Sequence, residues 1–207
     1  MDKESFWLKI ARELQSMSQS GLAFSENEYD IQRYKRLNEM SAEILSEYSN
    51  LDKEVTEKLF LNLPGYATPK IDVRSAVVKD GKILLVKEIQ DGCWSMPGGW
   101  ADVGDYPSEV AIRETKEESG YDVKVKKLVA VFDANRADRD LEFFHAFKLI
   151  FLCELTGGEA DPDHEILDVG FFDLDNLPEL SKYRTNEKFI NEIKAHLSDP
   201  ERETAFD

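Results

Sequence analysis

The sequence predicts two units, a small all-α domain over residues 1–64 and an α/β (α+β) sandwich over residues 70–198. Three observations predict it. Apolar residues before Pro64 recur at helical spacing. An Asp-Gly hairpin signal, Lys79-Asp80-Gly81-Lys82, follows soon after. Beyond it, strand-like runs alternate with two helical patterns, an arrangement that packs as a layered sandwich.

The elements follow in order. Phe6, Trp7, Ile10, Ala11, Leu14 and Met17 mark one face of a first helix, which Gly21 is expected to end. Ser25-Glu26-Asn27-Glu28 reads as a capping box for a second helix. Its apolar face is Ile31, Tyr34, Leu37, Met40, Ile44, Leu45 and Tyr48, and a short third helix is expected from Lys53 to Leu61. Leu63 to Pro69 is a linker, its two prolines blocking helix continuation. Val73 to Val77 and Ile83 to Val86 read as hairpin strands. Pro107 to Ser119 reads as a helix closed by Gly120. Val123 to Phe132 and Phe143 to Leu155 read as strands, and Thr156-Gly157-Gly158 as a turn. Gly170 to Leu174 reads as a short strand, and Phe189, Ile190, Ile193 and Leu197 as a last helix. The polar end from Ser198 to Asp207 is expected to fray.

Composition excludes several classes. The formal net charge is −16, from 42 acidic against 26 basic residues, and that field repels duplex nucleic acid at long range. No apolar run approaches the roughly 18–20 residues of a membrane span. The N-terminus is charged on both sides of its apolar positions, unlike a signal peptide. Cys93 and Cys153 have neither metal-ligand spacing nor the density of a disulfide framework, so a reducing cytoplasm is the expected setting. Three helices in a short unit bury little alone. A homodimer through or near them is therefore expected.

The chemistry concentrates in Pro97 to Asp105 and Arg113 to Tyr121. Glu114, Glu117 and Glu118 stand at i, i+3 and i+4, within an arc of roughly 100° on one helix face. Three like charges repel, and the helix dipole disfavours anions in its last turns. A cation resolves both penalties, and all-oxygen ligands select Mg²⁺ or Mn²⁺. Such ions neutralise a diphosphate and lower the pKa of an attacking water. Gly98 and Gly99, lacking β-carbons, let the backbone approach metal or phosphate closely. Arg113 is placed to pair with Asp105, tying loop to helix.

This segment resembles the Nudix box, G-x5-E-x7-R-E-U-x-E-E-x-G-U, where U is a bulky aliphatic residue. Gly99, Arg113, Glu114, Glu117, Glu118 and Gly120 fall on its fixed positions, with Asp105 in place of the first Glu and Thr115 and Tyr121 in place of aliphatic residues. The resemblance implies a Nudix α/β/α sandwich with a mixed sheet. It implies Glu114, Glu117 and Glu118 as metal ligands, joined by the Gly98 carbonyl. The helical N-terminal unit, the Gly65–Arg74 junction and Trp94–Asp102 are similar to a Nudix group that includes CDP-choline pyrophosphatase. The wider group implies ADP-ribose-like substrates as well.

The expected reaction is hydrolysis of a nucleoside diphosphate linked to another moiety, giving a nucleoside monophosphate and phospho-X. Glu118 or Glu165 accepts the proton; Glu165 lies in the loop Asp161-Pro162-Asp163-His164-Glu165, which supplies a metal-site glutamate in many Nudix enzymes. Candidate substrate contacts are Arg74 on the first strand, Arg136 and Arg139 in a polar loop, and Trp100 as a stacking surface, with Tyr66, Trp94 and Phe132 as further aromatics. Two other readings use the same features: an RNA or RNA-end hydrolase with the same metal site, and a non-catalytic nucleotide sensor. The acidic net charge opposes the first, and the intact carboxylate triad opposes the second.

Overall fold

The computed structural model describes residues 3–48, 54, 56, 58, 63, 65–134 and 145–207. The chain divides into two compact units, the first made of Met1–Pro69 with Ala137–His145 and the second of Lys70–Arg136 with Ala146–Asp207.

In the first unit, α1 (Lys3–Phe24) and α2 (Glu28–Tyr48) pack through small side chains. Ala11, Ala42 and Leu45 form its buried centre, and the Ser41 hydroxyl donates to the Ala11 carbonyl at 2.7 Å. Two local expectations are corrected here. Gly21 does not end α1, which runs on to Phe24. A Cβ at Gly21 would stand 2.3 Å from the Tyr34 ring, so the glycine marks a close helix crossing instead. The cap of α2 is Asn27 rather than Ser25; its side-chain oxygen accepts the Tyr29 amide at 2.9 Å. Of the expected third helix, Glu54, Thr56 and Lys58 are helical, and the rest lies outside the described residues.

The second unit is an α/β/α sandwich built on a mixed sheet. Its strands are β1 (Lys70–Lys79), β2 (Lys82–Glu88), β3 (Trp94–Ser95), β4 (Tyr121–Asp133), β5 (Ala146–Gly158), β6 (Ile166–Asp173) and β7 (Ala205–Phe206). Among the described residues the sheet order is β3-β2-β1-β5-β4-β7, with β6 paired to β2. Pairing is mixed: β1–β5 and β4–β7 are parallel, whereas β1–β2, β2–β3, β2–β6 and β4–β5 are antiparallel. The β1–β2 turn puts Asp80 and Gly81 at φ 52 and 76, the conformation the Asp-Gly pair favours.

Two helices cover the two faces, α3 (Pro107–Ser119) and α4 (Glu187–Ser198). Strand alternation divides the core between them. Val73, Val77 and Leu84 pack with Val110 and Ala111 of α3, while Ala76, Ile83, Leu85 and Ile150 pack with Phe189, Ile190 and Ile193 of α4.

Two further expectations fail. Gly157 and Gly158 are not a turn but the end of β5, opposite Asp122 and Tyr121. The C-terminal segment does not fray. It returns as β7 beside β4, where Asp207 accepts the Asp133 amide at 2.6 Å and the Thr204 hydroxyl donates to the Leu128 carbonyl at 2.9 Å. Local polarity conceals this docking, because an edge strand is recognised by its partner and not by its own composition. Among the described residues, no helix is long and apolar enough to cross a membrane.

Candidate active site

β1 and β2 diverge. Their ladder holds at Val78↔Ile83 and Lys79↔Lys82. Beside the first half of β1 runs the segment Met96–Ala101. Val73 and Ser75 donate their amides to Gly99 and Pro97 at 2.8 Å, Ala101 donates to Ile71 at 3.0 Å, and Asp72 bridges Trp100. Met96 is gripped twice, its amide donating to the Thr185 hydroxyl at 2.8 Å and its carbonyl accepting Arg74 Nη1 at 3.2 Å. Gly98 lies at φ 144, and a Cβ there would stand 2.0 Å from the Val73 carbonyl oxygen. Only glycine fits. The carbonyls on either side of it are turned to β1.

α3 begins with Pro107 at its first turn and closes at Gly120 in the left-handed conformation, φ 78. It buries Val110, Ala111, Thr115 and Ser119. The helical period carries the glutamates along another side, toward the glycine loop. Glu118 Oε2 accepts the Gly98 amide at 2.8 Å. The Glu114 carboxylate lies over Gly99, 2.8 Å from where a Cβ would be. Arg113 Nη1 donates to Glu114 at 2.6 Å and to Glu117 at 3.2 Å, and its Nη2 reaches Asp105 at 3.4 Å. Asp105 also accepts the Asp102 amide at 3.1 Å, so the shorter side chain still ties loop to helix.

The cluster is electrostatically frustrated. Burial pushes the Glu118 carboxyl up to about 8; Arg74 and the Gly98 amide pull it down, and Glu88 and Glu114 push it further up. Burial also raises Glu114, against Arg113 and with the repulsion of Glu117. These are oxygen donors with surplus negative charge, partly stripped of water. That donor set fits a hard divalent cation. Among the described residues, no three acidic, histidine or cysteine side chains converge as a ready cage. Glu118 is turned to the Gly98 amide, while Glu114 and Glu117 share Arg113.

The remaining sequence-predicted residues are spread more widely. Glu165 is 74% exposed, and its carbonyl accepts the Ile89 amide at 3.0 Å. Its loop also touches the end of α3, where the Asp161 amide donates to Ser119 at 3.1 Å. His164 stands 3.9 Å from Glu165. Arg74 is buried at 4% exposure, donating to Asp72 from Nε at 2.7 Å and from Nη2 at 3.3 Å. Trp100 is 46% exposed, with Lys70 Nζ 5.7 Å from its ring centre. Trp94 packs edge-on against Phe172, and Phe132 stacks on Phe189; Tyr66 is exposed. Arg136 and Arg139 lie outside the described residues.

The family model described as "NUDIX domain" matches residues 69–193, which hold this loop and helix. The chain belongs to the Nudix family. It is a Nudix hydrolase. A second model, described as "UDP-X-like, N-terminal oligomerisation domain", matches residues 5–60. The chain is 39% identical to YjhB of Bacillus subtilis (strain 168) over 201 residues, 97% of each protein. A solved UDP-X diphosphatase is 34% identical, with a TM-score of 0.63 and full coverage of both chains. A solved ADP-ribose pyrophosphatase from Streptococcus suis 89-1591 is 38% identical, with a TM-score of 0.62, covering 68% of this chain and all of that one.

Sequence reasoning missed several residues around the Nudix box. Asp72 and Lys148 are both buried and joined at 2.5 Å. Glu88, buried at the end of β2, accepts the Ser95 hydroxyl at 2.9 Å and lies 3.3 Å from Arg184 Nε. Thr185, fully buried, supports the loop through Met96. A signal existed for one of them: Lys148 interrupts the apolar run Phe147-Lys148-Leu149-Ile150-Phe151-Leu152. A lone lysine in a central strand has to be paired.

Proposed function

We propose that this Nudix hydrolase cleaves the diphosphate of a nucleoside diphosphate linked to another moiety, releasing a nucleoside monophosphate and phospho-X. The observation that carries it is the desolvated Glu118 carboxylate hinged on the Gly98 amide, with Glu114 and Glu117 one turn or less away. Glu114, Glu117, Glu118 and the Gly98 carbonyl would hold Mg²⁺ or Mn²⁺, which neutralises the diphosphate and makes water a better nucleophile. Water attacks one phosphorus, the bond from that phosphorus to the bridging oxygen breaks, and that oxygen leaves on the other phosphate. The proton released by the water passes to Glu118. Glu165, on the solvent side, assists from the loop that crosses the end of α3. Trp100 offers an exposed ring to the nucleobase, and Arg136 and Arg139 are proposed phosphate contacts. A direct contact from Arg74 to substrate would require it to leave Asp72.

ADP-ribose and a UDP-linked compound are the first substrates to test, because this chain is similar to an ADP-ribose pyrophosphatase and to a UDP-X diphosphatase, with CDP-choline as the third. Purified protein is incubated with each compound and Mg²⁺ or Mn²⁺, and nucleoside monophosphate is measured by chromatography. Turnover of at least one, abolished by chelator and by Glu118→Gln, is the expected result. Equal turnover of oligoribonucleotide ends would favour RNA hydrolysis instead. Tight nucleotide binding without product would favour a sensor.

The helical unit is proposed to form a homodimer. Phe6, Met17, Phe24 and Tyr29 leave apolar surface exposed there, and the matching family model is described as an oligomerisation domain. Light scattering at low micromolar concentration should give twice the chain mass; a monomer mass would sink this.

A further inference from the structure

Lys148 is 1% exposed, on β5, directly opposite Asp72 of β1 in the parallel ladder. Asp72 and Arg74 already form a two-bond pair, Nε to Oδ1 at 2.7 Å and Nη2 to Oδ2 at 3.3 Å, and that pair is neutral. Lys148 Nζ adds a second cation to the same carboxylate, at 2.5 Å from Oδ2. Two buried cations therefore share the Asp72 carboxylate, and Arg74 also feels the negative charge of Glu118 and Glu88. Buried charges are costly even when paired, and an apolar residue of similar volume generally serves stability as well or better. A second buried cation on one carboxylate calls for a role beyond packing.

The contacts lead to one. Arg74, oriented by Asp72, donates from Nη1 to the Met96 carbonyl at 3.2 Å. The Arg74 Cα lies so close to Gly98 that a Cβ on the glycine would be 2.9 Å from it. Two residues beyond Met96, the Gly98 amide donates to Glu118 Oε2 at 2.8 Å. We propose that Lys148 is a positioning residue for Glu118, acting through Asp72, Arg74 and the Met96–Gly99 loop. It holds Asp72 in the rotamer that orients Arg74. Its charge also compensates Asp72, leaving Arg74 with positive field to spend on the glutamate. Removing partners that orient a metal ligand costs about 10- to 100-fold in metal affinity.

This inference rests on the proposed role of Glu118, so its test includes readings that need no substrate. Lys148→Met, Lys148→Arg and Arg74→Lys are compared with the wild-type full chain, with Glu118→Gln as reference. Three quantities are measured: the Mn²⁺ dissociation constant by electron paramagnetic resonance, the Gly98 amide proton shift by NMR, and kcat and KM on the best substrate. Lys148→Met should weaken Mn²⁺ binding about tenfold. It should also move the Gly98 amide upfield toward its position in Glu118→Gln, and lower kcat with KM within about twofold. Lys148→Arg, which keeps the charge, should restore the Gly98 shift and the Mn²⁺ affinity. A folded Lys148→Met with unchanged Gly98 shift and Mn²⁺ affinity overturns the proposal, as does Lys148→Arg behaving no better than Lys148→Met. Should Lys148→Met fail to fold, Arg74→Lys breaks the same chain one link nearer the loop and is judged by the same readings. Loss of every nucleoside-diphosphate activity in the wild type would count against the proposed reaction while leaving the Mn²⁺ and Gly98 results to decide this one.

Discussion

Two glutamates of this chain share a predicted task and occupy opposite environments. Glu118 lies on a rigid helix, partly desolvated, bonded to a backbone amide that a buried charge network holds in place. Glu165 lies on a loop, 74% exposed, with its side chain 3.9 Å from His164. The comparison teaches that a carboxylate's chemistry is set by what surrounds it. Burial makes Glu118 a high-energy anion that a cation stabilises strongly, whereas solvent already satisfies Glu165.

The largest effect is expected when each acid is exchanged for its amide. Glu118→Gln should lower kcat by about 10³-fold, within the usual range for a lost proton acceptor. Glu165→Gln should lower it by about tenfold, as expected of a residue that assists from outside the ligand set. Equal losses measured under saturating substrate and Mg²⁺ would mean that exposure does not rank the two glutamates.

A second test uses pH. The folded Glu118 carboxyl titrates near 8, above the ordinary carboxylate value of 4.5. Its contribution to stability is therefore fully present below the unfolded value and lost as pH rises through about 8. In chelator, urea unfolding should show the wild type losing on the order of a few kcal/mol between pH 5 and 9 from this group. Glu118→Gln should flatten that slope. A wild-type slope that survives Glu118→Gln assigns the loss to other groups.

His196 provides a smaller effect of opposite sign. It is buried on α4, and burial holds its pKa below 6.5, with Lys127 adding to the shift. A lowered histidine contributes stability above its unfolded pKa, lost as pH falls through the folded value. Denaturation from pH 7 downward should show this loss of stability. His196→Phe should remove that part of the acid slope without changing kcat.

The smallest effect belongs to the C-terminal edge. Lys188 pairs with Asp207 at the surface, far along the chain from the Nudix box. Lys188→Ala should cost on the order of 0.5–1 kcal/mol in urea unfolding, because the half-covered pair and the contact with the Phe132 ring are lost together, with kcat within about twofold. A large loss of activity would connect the edge strand to catalysis.

Much of the fold was legible in the sequence because period and punctuation are local. The Asp-Gly turn, the Pro107 start and the Gly120 stop of α3 all stand where their chemistry puts them. Gly21 misled because glycine ends helices and also lets helices cross closely, and only Tyr34 decides between the two. The tail to Asp207 misled because its partner β4 lies about 75 residues earlier, too far for any window of pattern to join them. In the candidate site, the glutamate spacing and the two glycines were legible. Asp72, Lys148, Glu88 and Thr185 were not, since each matters through a neighbour from another element.

By itself, the sequence determined that three carboxylates share a helix face and that a glycine pair precedes them, for both follow from spacing along one chain. Tertiary structure decided which carboxylate loses its water, which amide it meets and which buried cations stand behind it. The physical reason is that electrostatic energy depends on distance and solvent exposure in space, and neither quantity is written in the order of residues.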